Sequence, residues 1–535
     1  MTEPLYHSDL GLYDFQAEDI AKGYLMPSGL VAWDTGTGKS HWAMAISCLL
    51  VEDDEIDVVV LIAEKNKIAD DEWVGDFEQF TKLDAHRYHG TGRQKRLEKL
   101  PEFPRVIITT YETAKADLVK METVPGKRTK AFSPGPLSEM IGDRRPLVIF
   151  DESTKIKNRS SATYKAMYWW VNRYLRKRYP KTRAWGLTAT PLETGWEDAF
   201  NQARLLWPPS MPTVEYFEQT FVSSRDPYNR PTYRRERMPE FVSMFRPIIL
   251  RRRKTDPELI DQFPKMVEDA RHFVMGDEQR KFYEMVEEIG FPLDADEPEP
   301  GMLTLMRQIA GHPASILFSQ GMFAQVLAQE FGADYLRSIP SVKTEGLVDY
   351  LTPIIHGQGD KALTFTFFGQ SVLPLLAEAL REKKMEVFTH HGGQTSHDQE
   401  LARTKFRKYD GPAVFLTSDA GSRGINMPEA TYVVEYESAL TYALRKQRID
   451  RIHRIISTAP TTNAMTFFLD HTVEARLALN MSERNAQSDM LLGDDEDGGE
   501  HFLTAAERKD ALRIARSSVP TRKAAPRNGR VLTPR

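Results

Sequence analysis

One cysteine in 535 residues, Cys48, leaves no pair for an intramolecular disulfide and none of the thiol clusters that hold structural zinc. It lies on an apolar helical stretch, where a small core residue is expected. Long apolar runs are missing as well. Those present, such as Val58 to Ala63, fall far short of the roughly 20 residues that span a bilayer. The opening stretch MTEPLYHSDL has no basic segment followed by an apolar core, so no secretory signal is expected in it. A strong charge imbalance is absent too, the formal net charge being −5. These absences fit a cytoplasmic enzyme with no membrane partner.

What is present is ordinary in amount, 41% hydrophobic and 27% charged, but ordered along the chain. At about 150 residues per domain, two to four domains are expected. Short β-branched runs alternate with amphipathic stretches, the pattern of a parallel sheet covered by helices. Strands are expected at 29–33, 58–63, 106–109, 147–150 and 183–187, and again at 362–367, 387–389, 414–417, 432–435 and 465–469. The fold class is therefore α/β. A first lobe covers 1–207, a helical insertion 208–340 with an acidic surface loop at Asp294–Glu299, and a second lobe 341–493. A tail at 494–535 begins acidic and turns basic, with nine Lys or Arg against two acids from residue 501 onward. Its prolines and charge make it disordered, either a phosphate-binding arm or a solubilising tail.

The sharpest local signal is Ala32-Trp-Asp-Thr-Gly-Thr-Gly-Lys-Ser40, set between a strand and a helix. Gly36 and Gly38 let the backbone curl so that the N–H groups of Thr35 to Ser40, Thr37 among them, point at phosphate oxygens. Lys39 reaches the β- and γ-phosphates, Ser40 serves Mg²⁺, and the helix N-terminus adds its dipole. Trp33 stands where the strict motif has its first glycine. A second signal, Leu147-Val-Ile-Phe-Asp151-Glu152, places two carboxylates at the end of an apolar strand. Asp151 is the metal's carboxylate and Glu152 the base for attacking water. A third is the basic stretch Thr441 to Arg454, in which Gln447, Arg451 and Arg454 share one face of an expected helix. Two such arginines can reach a γ-phosphate across a cleft, so hydrolysis would require the lobes to close.

In order and spacing this set resembles the superfamily-two helicases, and most closely the SWI/SNF-like ATPases, over roughly residues 10–490. Phe15-Gln16 resembles the Q motif, whose glutamine reads adenine. Leu61 to Phe77, Tyr88 to Arg93 and Ile107 to Glu112 are similar to motif Ia and its next two elements. Leu187-Thr188-Ala-Thr190-Pro191 resembles motif III, which couples nucleotide state to nucleic-acid grip. Leu250 to Lys254 and Leu305 to Pro313 resemble segments characteristic of the SWI/SNF group. Ala362 to Phe368, Thr417 to Asn426 (with Gly424) and Gln447 to Arg454 look like motifs IV, V and VI. Trp33, Ser40, the Asp-Glu-Ser-Thr form of motif II and Ala189 depart from the family pattern without removing a catalytic group.

The resemblance implies two RecA-like lobes, ATP and Mg²⁺ as cofactors, and nucleic acid bound across both lobes. It implies that Gln16, Gly424 and Gln447 join the phosphate loop at the nucleotide. Thr109, Thr110, Thr417 and Ser418 carry hydroxyls suited to backbone phosphates, though such residues are also ordinary at strand ends. The basic segments Arg225 to Arg237 and Arg251 to Lys254 could touch DNA or make interlobe ion pairs. The favoured expectation is sequence-tolerant translocation along duplex DNA, in a bacterial or phage-infected cell. A strand-separating DNA or RNA helicase shares the engine but needs a wedge hairpin, which is not legible in 208–340. A non-hydrolysing ATP-gated clamp is the third reading.

Overall fold

The computed structural model describes residues 4–7, 12–69, 72–123, 130–193, 195–227, 229–290, 300–419, 427–454 and 457–474. Gly424, Asp294–Glu299 and the tail from residue 494 lie outside them.

The segment Val58–Ala63 shows why the first lobe is a parallel sheet. Val-Val-Val-Leu-Ile-Ala has no polar face, and all six residues are buried. Val59, Leu61 and Ala63 enter one core and Val58, Val60 and Ile62 the other, as a strand covered on both faces requires. Seven parallel strands run in the order 249–252, 29–33, 184–187, 146–151, 58–63, 106–110 and 85–87. The second lobe has six, in the order 265–273, 461–469, 432–435, 362–366, 414–418 and 387–390, again all parallel. All ten expected strands are present, with ends shifted by up to four residues.

The expected helical insertion is less separate than its composition implies. Ile249–Arg252 closes one edge of the first sheet, and Lys265–Phe273 closes an edge of the second. Both are charged edge strands with little alternation, Ile-Leu-Arg-Arg and Lys-Met-Val-Glu-Asp-Ala-Arg-His-Phe. Pairing with a neighbour, not an apolar pattern, makes them strands. The stretch also holds an antiparallel hairpin, Val222–Arg225 with Pro231–Tyr233. Tyr233 stacks on Trp196 at 4.9 Å, and Arg225 pairs with Glu197 and Glu218, which ties the hairpin to the first lobe. Helices between Asp277 and Ser338 pack around Phe282, Met306 and Leu336, in a cluster shared with Leu375 and Leu469 of the second lobe. Among the described residues no helix is long and apolar enough to cross a membrane. Cys48 is buried, and burial pushes its thiol up to about 12.

Candidate nucleotide site between the lobes

The phosphate loop joins the buried strand Gly29–Trp33 to the helix Lys39–Glu52. Gly36 and Gly38 have φ of 85° and 96°, a region that favours residues without a Cβ. A Cβ on Gly38 would also come within 2.2 Å of the Gln16 amide. Gln16 is thereby occupied: its Nε2 donates to the Thr37 carbonyl at 3.0 Å, and its Oε1 accepts from Tyr13 N at 3.1 Å. In this state it braces the loop, where the resemblance implied a reader of adenine. Thr37 Oγ1 donates to the Asp34 carbonyl at 2.7 Å. Lys39 Nζ donates to the carbonyls of Trp33 and Asp34 at 2.9 and 3.2 Å. Burial lowers its ammonium to about 8 against the pull of Glu152, so an arriving phosphate would relieve a desolvated charge.

Asp151 ends the strand Pro146–Asp151, and Glu152 follows with φ 50°. A glutamate in that left-handed region is uncommon. The Tyr111 hydroxyl donates to the Asp151 carbonyl at 2.8 Å and holds the turn. Asp151 Oδ2 accepts from Lys67 Nζ and from the Trp73 indole, each at 2.9 Å. Burial raises the Glu152 carboxyl, with Lys67 pulling the other way. A carboxyl raised in this manner suits proton acceptance from water.

A cavity of about 570 Å³ separates these groups from the second lobe. The first lobe lines it with Thr35, Gly36, Lys39, Ser40 and Glu152; the second contributes Gln447, Arg451 and Arg454. A methyl on Gly36 would stand 3.7 Å from Arg454 Cγ, so the lobes are close here. Burial lowers both arginines, Arg454 to about 10 with the like charge of Arg451 adding to it. The expected single helical face is not how they arrive. The helix Tyr442–Ile449 stops at Asp450, and the arginines sit in the turns beyond. The carbonyls that would extend the helix are taken: Arg451 O accepts from Met427 N at 3.1 Å and His453 O from Lys254 Nζ at 2.7 Å.

That lysine belongs to an interlobe network whose acceptors, Asp34 and Asp450, the sequence reading missed. Asp34 Oδ1 accepts from Arg251 at 2.7 Å and from Lys446 of the second lobe at 2.6 Å. Lys254 donates its backbone N–H to Asp34 Oδ2 and its ammonium to Asp450 at 2.5 Å. Burial alone would raise the Asp34 carboxyl; Arg251 and Lys446 overcome it and hold it well below the usual carboxylate range. Of the two readings of Arg251 to Lys254, this is the ion-pair one. Arg252 likewise grips Asp19 and Glu18. Lys446→Met removes a charge-assisted contact across the cleft, a loss of about 2 kcal/mol in docking. The expected result is a KM for ATP raised about thirtyfold with Lys446→Arg restoring it, measured by steady-state kinetics.

Thr188 and Thr190 follow the strand Ala184–Leu187, between the strands that carry Trp33 and Asp151. Thr188 N donates to Val31 O at 3.1 Å and Thr190 N to Thr188 Oγ1 at 3.2 Å. The sequence reading also missed Gln202. Its Oε1 accepts from Ser153 of motif II at 2.7 Å, and its Nε2 donates to the Pro191 carbonyl at 2.8 Å. Gln202→Ala would strand both partners in the core. A loss of about 2 to 4 kcal/mol is expected, read by denaturant unfolding.

The four hydroxyls expected to face nucleic acid are instead spent inside the protein. Thr109 Oγ1 donates to Tyr88 O at 2.9 Å, and Thr110 Oγ1 caps the next helix by accepting from Thr113 N at 3.1 Å. Thr417 contacts His390 at 3.2 Å, and Ser418 is buried against Gly369. Strand-end positions in a covered sheet are interior positions, and a buried hydroxyl takes the nearest partner.

A two-lobed α/β protein with a phosphate loop on one lobe and arginines facing it from the other is a P-loop nucleotide-binding protein of helicase architecture. The chain belongs to the SNF2-related domain family, whose profile matches residues 21–318, followed by a match to the helicase conserved C-terminal domain at 343–456. It is 24% identical over 468 residues to the ATP-dependent DNA helicase DDM1 of Arabidopsis thaliana, covering 81% of this chain and 55% of that protein. It is 21% identical to the ATP-dependent helicase FUN30 of Saccharomyces cerevisiae, covering 91% and 48%. The chain thus spans about half the length of these relatives. In fold it is similar to the Hef helicase domain of Pyrococcus furiosus, with a TM-score of 0.52, 14% identity, and 88% and 98% of the two chains covered.

Proposed function

We propose that this protein is a DNA-dependent ATPase that turns lobe closure into translocation along duplex DNA. The observation that carries the reading is the shared cavity, in which Lys39 and Glu152 of one lobe face Arg451 and Arg454 of the other. Lys39 and the loop N–H groups receive the phosphates, with Thr35, Gly36, Thr37 and Gly38 shaping the cradle. Gln16 and Gly424 are proposed to complete the nucleotide's surroundings with Gln447. Glu152 accepts the proton of the attacking water. Arg451 and Arg454 balance the charge that develops on the γ-phosphoryl group, which they can do only while the lobes are together.

The donors present fit Mg²⁺: Ser40 stands in the first turn of the loop helix, and the Asp151 carboxylate already accepts a cationic donor. Bound there, the ion would neutralise phosphate charge. Thr188 and Thr190, between the two motifs, are proposed to pass the state of the site to the nucleic acid. DNA is the proposed partner, held through its backbone and therefore salt-sensitive.

The test is ATP hydrolysis with no nucleic acid, single-stranded DNA, duplex DNA or RNA. Stimulation by duplex DNA is the expected result. Preference for single strands or RNA would move the reading to a strand-separating helicase, and binding without hydrolysis to a clamp.

A further inference from the structure

Lys67 has no part in the mechanism above, yet it touches its centre. It stands on the short helix Lys65–Ala69, and its Nζ lies 2.9 Å from Asp151 Oδ2. The Trp73 indole donates to the same oxygen, so that oxygen is approached from two sides. Lys67 also lines the cavity, among Glu152, Glu72 and Asp76. The ammonium and the carboxylate meet largely out of water, their side chains 23% and 4% exposed. The same crowding shows at Asp76, lifted to about 6 by burial and by Glu72. Two successive carboxylates, Glu152 lining the cavity and Asp151 buried next to it, would otherwise attract a divalent ion. An ammonium in contact with one of them lowers that attraction steeply, since like charges a few ångströms apart repel strongly where water is scarce.

We propose that Lys67 is the resident counter-ion of the Asp151–Glu152 pair, and that it prevents the pair from taking a divalent cation before nucleotide arrives. Metal entry then depends on the phosphates of ATP, which bring the oxygens and negative charge that the lysine has cancelled. Lys67 is a positioning residue in this scheme. It sets the order of loading and does not touch the reacting atoms. The inference rests on reading Asp151 as the metal's carboxylate.

The experiment titrates Mn²⁺ into the whole chain without nucleotide, counting the free ion by electron paramagnetic resonance. Wild type, Lys67→Met and Lys67→Arg are compared, each with and without Asp151→Asn. Lys67→Met is expected to bind Mn²⁺ about tenfold more tightly than wild type. Lys67→Arg should stay as weak as wild type, and Asp151→Asn should cancel the gain. Thermal melts check folding, and Lys67→Gln replaces the Met variant if that one is unfolded. A neutral variant with wild-type Mn²⁺ affinity would overturn the counter-ion role. If Asp151→Asn still weakens Mn²⁺ binding in the presence of ADP, that result leaves the reading of Asp151 standing. If Asp151→Asn has no effect even with ADP, the metal reading falls and the inference falls with it.

Discussion

Glu152→Gln is expected to lower DNA-stimulated ATP hydrolysis by about 10³-fold while ATP still binds. The substitution is nearly isosteric, so the strained turn and the carbonyl held by Tyr111 are kept. What disappears is an acceptor for the proton of water. Because the native carboxyl is raised by burial, with Lys67 and Lys39 opposing, its loss takes away a tuned base and not a bystander. Binding should survive because Lys39 and the loop N–H groups remain. The measurement is a pair: steady-state hydrolysis with duplex DNA, and equilibrium binding of a fluorescent ATP analogue. Hydrolysis within tenfold of wild type would remove Glu152 from the mechanism.

Arg454→Ala should have an effect of similar size, about 10³-fold or more, through a different cause. This arginine serves the site from the second lobe, where burial and the neighbouring Arg451 lower its guanidinium to about 10 and leave it cationic near neutral pH. Such a cation gains most where negative charge develops, so its removal should cost turnover more than binding. Arg454 Nε donates to the Asp450 carbonyl at 3.0 Å, and Lys254 grips the Asp450 side chain. Arg454→Lys is therefore not expected to rescue, because an ammonium lacks the fork that anchors to the turn while reaching the cleft. Single-turnover hydrolysis separates the two effects. A change confined to KM would assign Arg454 to docking alone.

Much of this was legible before any coordinate. Val58–Ala63 and Leu147–Phe150 are apolar on both faces, and a strand covered on both sides needs nothing else to declare itself. The phosphate loop was legible because two glycines with φ near 90° and a strand–helix junction leave a local signature. Asp151, Glu152, Arg451 and Arg454 were legible as residue types in order, and the cavity holds Glu152 beside both arginines.

The tertiary structure alone decided which hydroxyls and cations are free to act. Thr109, Thr110, Thr417 and Ser418 look available in a string of letters, but the fold closes over them. Arg251 and Lys254 suit phosphates as well as ion pairs in the sequence, but with Lys446 they converge on Asp34 and Asp450 across 196 to 412 residues. Gln202 lies in none of the motifs, and Lys67 has no marked role within the stretch similar to motif Ia; they reach Ser153 and Asp151 across 49 and 84 residues. Local sequence specifies what depends on backbone conformation and on which face is apolar. Partnership between buried polar groups depends on burial itself, which only the packed chain provides, since a charge or hydroxyl removed from water must take whichever partner the fold brings near.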